Sequence, residues 1–353
     1  MVEYWKSPSG PITPILQYSN TPFGKGVQRM DKIRIGMIGC GGISRGHMKR
    51  LLAIPEAEIV ALCDISEESL ARTYEIVPEV KGLPVFVDYR EMIDSSPMEA
   101  VEIATPHTLH FPQAMDCIDR GLHMVLEKPM VCTIDHAHKL IANAKDKERI
   151  IVLGYQKHFD PKFRYMKEVI EEGQLGEITY ISALQCQQWK KGQVGKWRQD
   201  PALSGGGQLN DSGSHLIDII LWTTGLAVDE VYGYIDNLGT PVDINSALTL
   251  KFKNGAQGTM SVVGDAPCWY EDFTIWGENG VLFCRNGQLS RCDCDGKFSQ
   301  PEDIPEGGNP DKNLIDAIFG RDVVWTPPIC GLRVIELTEA AWKSAASGKA
   351  YKV

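Results

Sequence analysis

No stretch of about 18 uncharged apolar residues runs through the 353-residue chain, so no transmembrane helix is expected. A basic stripe is missing too. Lys and Arg number 36 against 46 Asp and Glu, for a net charge of −10. Such a surface has little with which to neutralise nucleic-acid phosphates. The N-terminus has no charged start leading into an apolar run, which argues against a secretory signal. Ten cysteines are too few for a disulfide scaffold in a chain of this length. Cys40, Cys63 and Cys117 fall in apolar or turn settings, where a thiol packs. Cys292 and Cys294 form one C-x-C with no second ligand pair, so no metal site is expected. Internal repeats and low-complexity runs are absent. Together these exclusions predict an acidic globular protein of the cytoplasm, with two domains that each bury a core.

The most informative stretch is residues 31–64. An alternating apolar run (Ile33, Ile35, Met37, Ile38) predicts a buried strand that stops at Gly39. Gly39, Gly41 and Gly42 follow, then Ile43 and a helix-like segment from His47 to Ile54. A second apolar run, Ala57–Cys63, ends on Asp64. Strand, glycine turn, helix, strand and acid is the order of a dinucleotide site. Gly39 permits a tight turn, Gly41 lets the backbone approach a pyrophosphate, and the helix start offers free N–H groups. Asp64 is placed to accept hydrogen bonds from the adenosine ribose hydroxyls, and its charge opposes a 2′-phosphate; NAD is therefore expected over NADP. The third glycine of G-x-G-x-x-G is replaced by Ser44, a small residue compatible with close helix–strand packing.

Residues 1–30 hold Pro8, Pro11, Pro14 and Pro22 with scattered aromatics, and read as an N-terminal arm. Strand and helix patterns alternate over 31–154, predicting a doubly wound parallel sheet, the cofactor domain. Ligands of such sheets lie beyond the carboxyl ends of the strands. Three segments fall there: the glycine turn, Thr105-Pro106-His107 through His110, and Glu127-Lys128-Pro129. Residues 155–353 form an α+β domain for substrate binding and oligomerisation. It consists of one helix, then strand-like runs joined by hairpin signals such as Lys253-Asn254-Gly255, then two final helices. A large, mostly antiparallel sheet with one open face is expected, and that face suits a homodimer or homotetramer.

Proline after Lys128 biases the lysine toward extended geometry, so its ammonium is held where it can stabilise developing alkoxide charge. In Gly205–Asp218, three glycines lead into a helix that places Asp211, His215 and Asp218 at i, i+4 and i+7. A carboxylate one turn from an imidazole orients it and raises its basicity, giving a general base; a structural pair or helix cap, or a metal-binding pair without an evident third ligand, remains an alternative. His107 and His110 flank a strand end within reach of cofactor. Gln156 follows the last parallel strand, and Trp197-Arg198 offers stacking and charge to a polar substrate.

These residues resemble the Gfo/Idh/MocA oxidoreductase family, which includes glucose–fructose oxidoreductase and inositol dehydrogenase. The resemblance rests on Gly39-Cys40-Gly41, on Glu127-Lys128-Pro129 and on Gly205 through Asp218 with Asp211, Gly213, His215 and Asp218 in register. The Ala104-Thr105-Pro106…Leu109-His110 segment and Pro328…Gly331…Arg333…Glu336 are also similar. It runs from residue 31 to the end. The resemblance implies a nicotinamide enzyme acting on a sugar, sugar derivative or cyclitol, with His215 as acid/base, Lys128 as polarising partner and Asp211 as orienting carboxylate. It also implies an alternative, glycoside cleavage by transient oxidation and elimination. A nucleotide-binding sensor without turnover is a third reading, opposed by intact Lys128, Asp211 and His215.

Overall fold

The computed structural model describes residues 32–353. The expected arm, residues 1–30, lies outside them. Six parallel strands form the first sheet: β1 (Ile33–Ile38), β2 (Ala57–Cys63), β3 (Val85–Phe86), β4 (Ala100–Ile103), β5 (His123–Leu126) and β6 (Ile151–Leu153). Their order is β3-β2-β1-β4-β5-β6. It reverses between β1 and β4, where a crevice opens at the carboxyl ends. The strands are apolar on both sides because helices cover both. Ile33, Ile35 and Met37 pack with Met48 and Leu51 on one layer, while Ile38, Val101 and Ile103 pack with Met92, Ala114 and Ile118 on the other.

Nine strands form the second sheet: β7 (Ile178–Cys186), β8 (Val228–Asp236), β9 (Asn245–Phe252), β10 (Gln257–Val263), β11 (Tyr270–Gly277), β12 (Gly280–Arg285), β13 (Gln288–Asp293), β14 (Phe298–Ser299) and β15 (Tyr351–Lys352). All neighbours run antiparallel except β7 and β10. Gly255, at φ +93°, closes the β9–β10 hairpin where Asn-Gly predicts it. Alternation decides the faces. Leu248, Leu250 and Phe252 of β9 point to the core, and Ala247, Thr249 and Lys251 point out. Helices Gly213–Thr224 and Pro328–Ser347 supply Leu216, Ile219, Ile220, Val334, Leu337 and Ala341 to the same core.

One helix departs from the expected division at residue 154. Pro310–Ile318, from the last part of the chain, returns to the first sheet, and Leu314 and Ile315 join the cluster around Ile33 and Met48. Full burial of such side chains stabilises by roughly 1.5–3 kcal/mol each, which holds the returning helix in place. Three strands, β13, β14 and β15, escape the sequence reading. Two are only two residues long and exposed, too short to carry a period. Among the described residues, no helix is long and apolar enough to cross a membrane.

Candidate active site

Gly39 leaves β1 at φ +91°, and a Cβ there would lie 2.6 Å from the Ala104 carbonyl oxygen. Only glycine fits both constraints. The helix then begins at Gly42, five residues before the His47 start expected from propensity. Packing decides this: Ser44, His47, Met48 and Leu51 are all buried against the sheet, which outweighs two glycines in the first two turns. The Ser44 side chain is fully covered, as a small replacement for the third glycine should be.

Helices starting at Glu67, Tyr89, Ile134 and Pro161 each have a side chain capping an early N–H. Gly42–Leu52 has none. Its free N–H groups face a bare surface, since a Cβ on Gly41 or Gly42 would meet nothing within 4 Å. Asp64 is fixed at the rim: the Cys40 N–H donates to one oxygen at 2.7 Å and the Ser66 N–H to the other at 2.8 Å. Its remaining lone pairs are free for ribose hydroxyls. Ile43, 41% exposed, flanks the turn. An uncapped helix start, a bare glycine turn and an anchored carboxylate fit the two ends of a dinucleotide.

Thr105, at the end of β4, donates from its hydroxyl to Gln113 at 2.6 Å. Pro106 is half-buried beside it. His110 sits behind this loop, its ring nitrogens 2.8 Å from the Pro129 carbonyl and 3.0 Å from that of Thr105. It braces two strand-end turns against each other and does not face the crevice. His107 is buried, with Nδ1 3.1 Å from the Ser204 carbonyl. Glu127 also turns inward, accepting from the Lys128 N–H at 3.3 Å and lying 3.1 Å from His47 Nε2.

Lys128 joins the two sheets. Its Nζ donates to Asp211 Oδ1 at 2.7 Å and to the Asp211 carbonyl at 3.2 Å. The other carboxylate oxygen, Oδ2, accepts from Trp189 Nε1 at 2.8 Å and from Arg198 Nε at 2.9 Å. His107 Nε2 stands 3.6 Å from Oδ1. Burial alone would raise the Asp211 pKa, but the charges of Lys128, His107 and Arg198 hold it well below the usual carboxylate range. The Arg198 guanidinium lies over the Trp197 ring at 4.3 Å, and that ring meets His107 edge-on at 4.8 Å.

Two expectations are corrected. Asp211 is not on the helix with His215, because the helix starts at Gly213. Gly207 and Leu209 donate their N–H groups to Asp243 at 2.9 and 2.7 Å, folding residues 207–212 into turns. Helical spacing does not apply across that bend, so the carboxylate faces Lys128 instead of the imidazole. Asp218 likewise turns away and meets His158 Nε2 at 2.8 Å. The charge of Asp211 favours a protonated His215 but is outweighed. Burial, with the ammonium groups of Lys128 and Lys157, pushes the His215 pKa down to about 3. The ring is neutral at pH 7, and its buried Nδ1 has no hydrogen-bond partner in the protein.

Gln156 is exposed, whereas the next residue, Lys157, turns to the second sheet and pairs with Glu271 of β11. Gln185 of β7 reaches the same carboxylate at 3.5 Å. Trp189 and Glu271 line the candidate site and were not singled out by the sequence reading, whereas Lys157 lies in the segment after the last parallel strand that the sequence marks for substrate. Only the position of Lys157 just after β6 offered a signal.

Fold and site define a dinucleotide-dependent oxidoreductase in which a second domain closes over the crevice of the first. Comparison with known proteins makes this specific. Residues 33–155 match the oxidoreductase family with an NAD-binding Rossmann fold, and residues 163–283 match the GFO/IDH/MocA C-terminal domain. The chain belongs to this family and is an NAD-binding oxidoreductase. It is 25% identical to myo-inositol 2-dehydrogenase of Thermotoga maritima over 268 residues, 72% of this chain and 75% of that one. It is 26% identical to levoglucosan dehydrogenase of Pseudarthrobacter phenanthrenivorans over 289 residues, 72% and 73% of the two chains. The fold matches that of a levoglucosan dehydrogenase solved with NADH, with a TM-score of 0.81 and 21% identity over 91% of this chain and 99% of the other.

Proposed function

We propose that this protein catalyses the reversible, NAD-dependent oxidation of a secondary alcohol on a sugar, sugar derivative or cyclitol. The observation that carries the reading is the Lys128–Asp211 pair at 2.7 Å, which sets an ammonium from the first sheet's strand ends against the second domain's turn. The substrate class is supported by the relatives named for inositol and levoglucosan. Asp64 supports NAD as the main cofactor; a relative in Bacillus subtilis named for NADP⁺ marks the variation within the family.

NAD held at this site would supply the hydride acceptor, or in the reverse direction the donor, for the carbinol carbon. The rest falls to the chain. Asp211 occupies two of the three Lys128 N–H donors and fixes their direction, leaving the third to donate to the carbinol oxygen as negative charge develops there. His215, neutral at pH 7, takes the hydroxyl proton as that charge appears. Gly41, Gly42 and Ile43 with Asp64 hold the adenosine end, and Thr105, Pro106 and His107 line the strand ends nearer the reaction. Trp197 and Arg198 close the substrate side.

The open face of the second sheet supports a homodimer or homotetramer. Trp276, Tyr234 and Phe298 are 42, 71 and 66% exposed on a soluble chain. Ten free cysteines support a reducing, cytoplasmic setting. The deciding experiment is a panel of cyclitols, sugars and sugar acids followed by nicotinamide absorbance, with NAD and NADP side by side and aryl glycosides in a parallel arm. Net NADH from a polyol supports the reading. Phenol release without added cofactor, and no NADH from any polyol, replaces it with glycoside cleavage.

A further inference from the structure

Five ionisable groups meet behind the strand ends, sealed from the crevice. Glu102 is on β4, Glu127 follows β5, His47 and Arg50 are on the helix Gly42–Leu52, and Asp311 is on the returning helix Pro310–Ile318. The His47, Glu102 and Asp311 side chains are at most 1% exposed. His47 Nδ1 lies 2.6 Å from Glu102 Oε1 and 2.7 Å from Asp311 Oδ1, and its Nε2 lies 3.1 Å from Glu127 Oε1. Arg50 binds the other Asp311 oxygen. One Nδ1–H cannot serve two carboxylates. Asp311 takes it, and both Glu102 oxygens are left without a hydrogen-bond partner.

With every acid ionised, three carboxylates would face one imidazolium and one guanidinium, leaving a net negative charge in a dry interior. Either a cation or a proton must balance it. The spacing selects between them. Ligands about 2.0–2.1 Å from a first-row metal ion stand roughly 2.9–3.3 Å apart. Gaps of 2.6 and 2.7 Å are hydrogen-bond distances, so there is room for a proton and not for a metal.

We propose that Glu102 is a positioning residue: it carries a proton in the working enzyme and so keeps the His47 imidazolium turned to Glu127, which steadies the Lys128 backbone. This rests on the reading of Lys128 as the polarising cation. Burial, reinforced by the charges of Asp311 and Glu127 and opposed by that of His47, pushes the Glu102 carboxyl up to about 7. His47, against its own burial, is raised well above the ordinary imidazole range by Glu102, Asp311 and Glu127. When the Glu102 proton leaves for solvent, the new charge competes with Asp311 for the Nδ1–H and draws the imidazolium to that side, away from Glu127 at Nε2. Glu127 has little freedom to follow, because it is wedged against Gly154, where a Cβ would lie 2.3 Å from its Oε1.

The test uses the full chain with ¹⁵N,¹³C-labelled histidine, the His47 ring signals being assigned by His47→Asn. Between about pH 6 and pH 8.5 the wild-type His47 signals should shift in one step while the ring stays doubly protonated. Glu102→Gln should abolish that step. NAD affinity should weaken by about threefold to tenfold over this range in the wild type and stay level in Glu102→Gln. A wild-type His47 without a step, a step that survives Glu102→Gln, or equal pH dependence of NAD affinity in both proteins would overturn the proposal. The wild-type titration decides even where the variant fails to fold. Absence of NADH from every polyol would refute the dehydrogenase reading while leaving the His47 titration as it is.

Discussion

Glu127 and Lys128 are neighbours in the chain and belong to opposite kinds of charge cluster. Lys128 faces the crevice, where the Asp211 carboxylate meets one cation or N–H donor after another: Lys128, Trp189 and Arg198. Glu127 faces inward, into a group with more carboxylates than cations and two oxygens unpartnered. The first cluster is satisfied and partly open to water through Lys128 and Arg198, 12 and 32% exposed. The second is dry. A satisfied cluster at a crevice orients a reacting group, whereas a buried cluster with more carboxylates than cations ties four segments together, and a change in its proton count is felt by all of them. Mutations in the two should therefore fail in different ways.

The sharpest break lies at the crevice. His215→Ala should lower kcat by roughly 10²–10⁴-fold while leaving the thermal midpoint nearly in place. Steady-state NADH formation and a melting curve on the same sample check both halves. Asp311→Ala should do the reverse, losing about 3–5 kcal/mol of stability because the buried His47 keeps its charge without that partner and Arg50 loses its ion pair. Urea unfolding measures that loss.

Acid should expose a second contrast. His107 and His215 are held down to about 3 by burial and nearby cations. The unfolded chain then binds more protons below about pH 6.5, so stability falls as pH drops from there towards 3. Glu127, lowered to about 2 despite its burial by its bond to His47 and that residue's charge, adds a loss confined to about pH 4.5 and below. Melting temperatures from pH 7 to pH 4 should show the imidazole loss first, and His107→Phe should flatten it. The smallest effect is expected from Arg198→Ala. This guanidinium is a third of the way to solvent and only one of three donors to Asp211, so KM should rise by about threefold to tenfold with kcat less affected.

The legibility of the molecule follows the range of the forces involved. β1 and β2 stand where their apolar runs predict, because burial on both faces leaves a local, continuous pattern. Gly39, Asp64 and Lys128 were legible for a similar reason: a turn that only glycine fits and a strand end are properties of neighbouring residues. Asp211 was found but assigned the wrong neighbour, since a bend set by Asp243, over thirty residues away, decides where its carboxylate points. Glu102 sits among apolar neighbours on β4, where nothing local marks it. Its partners come from residues 47, 127 and 311, and no period or motif joins them.

By itself, the order of residues determined that this chain would build a glycine-turn dinucleotide site, a parallel sheet around it and a second sheet of hairpins, because each depends on contacts within a few residues. Tertiary structure alone decided which charges meet. The 2.7 Å approach of Lys128 to Asp211 and the sealed group around His47 depend on distant segments packing together, and only in that dry, crowded space does the pairing of charges become costly enough to matter.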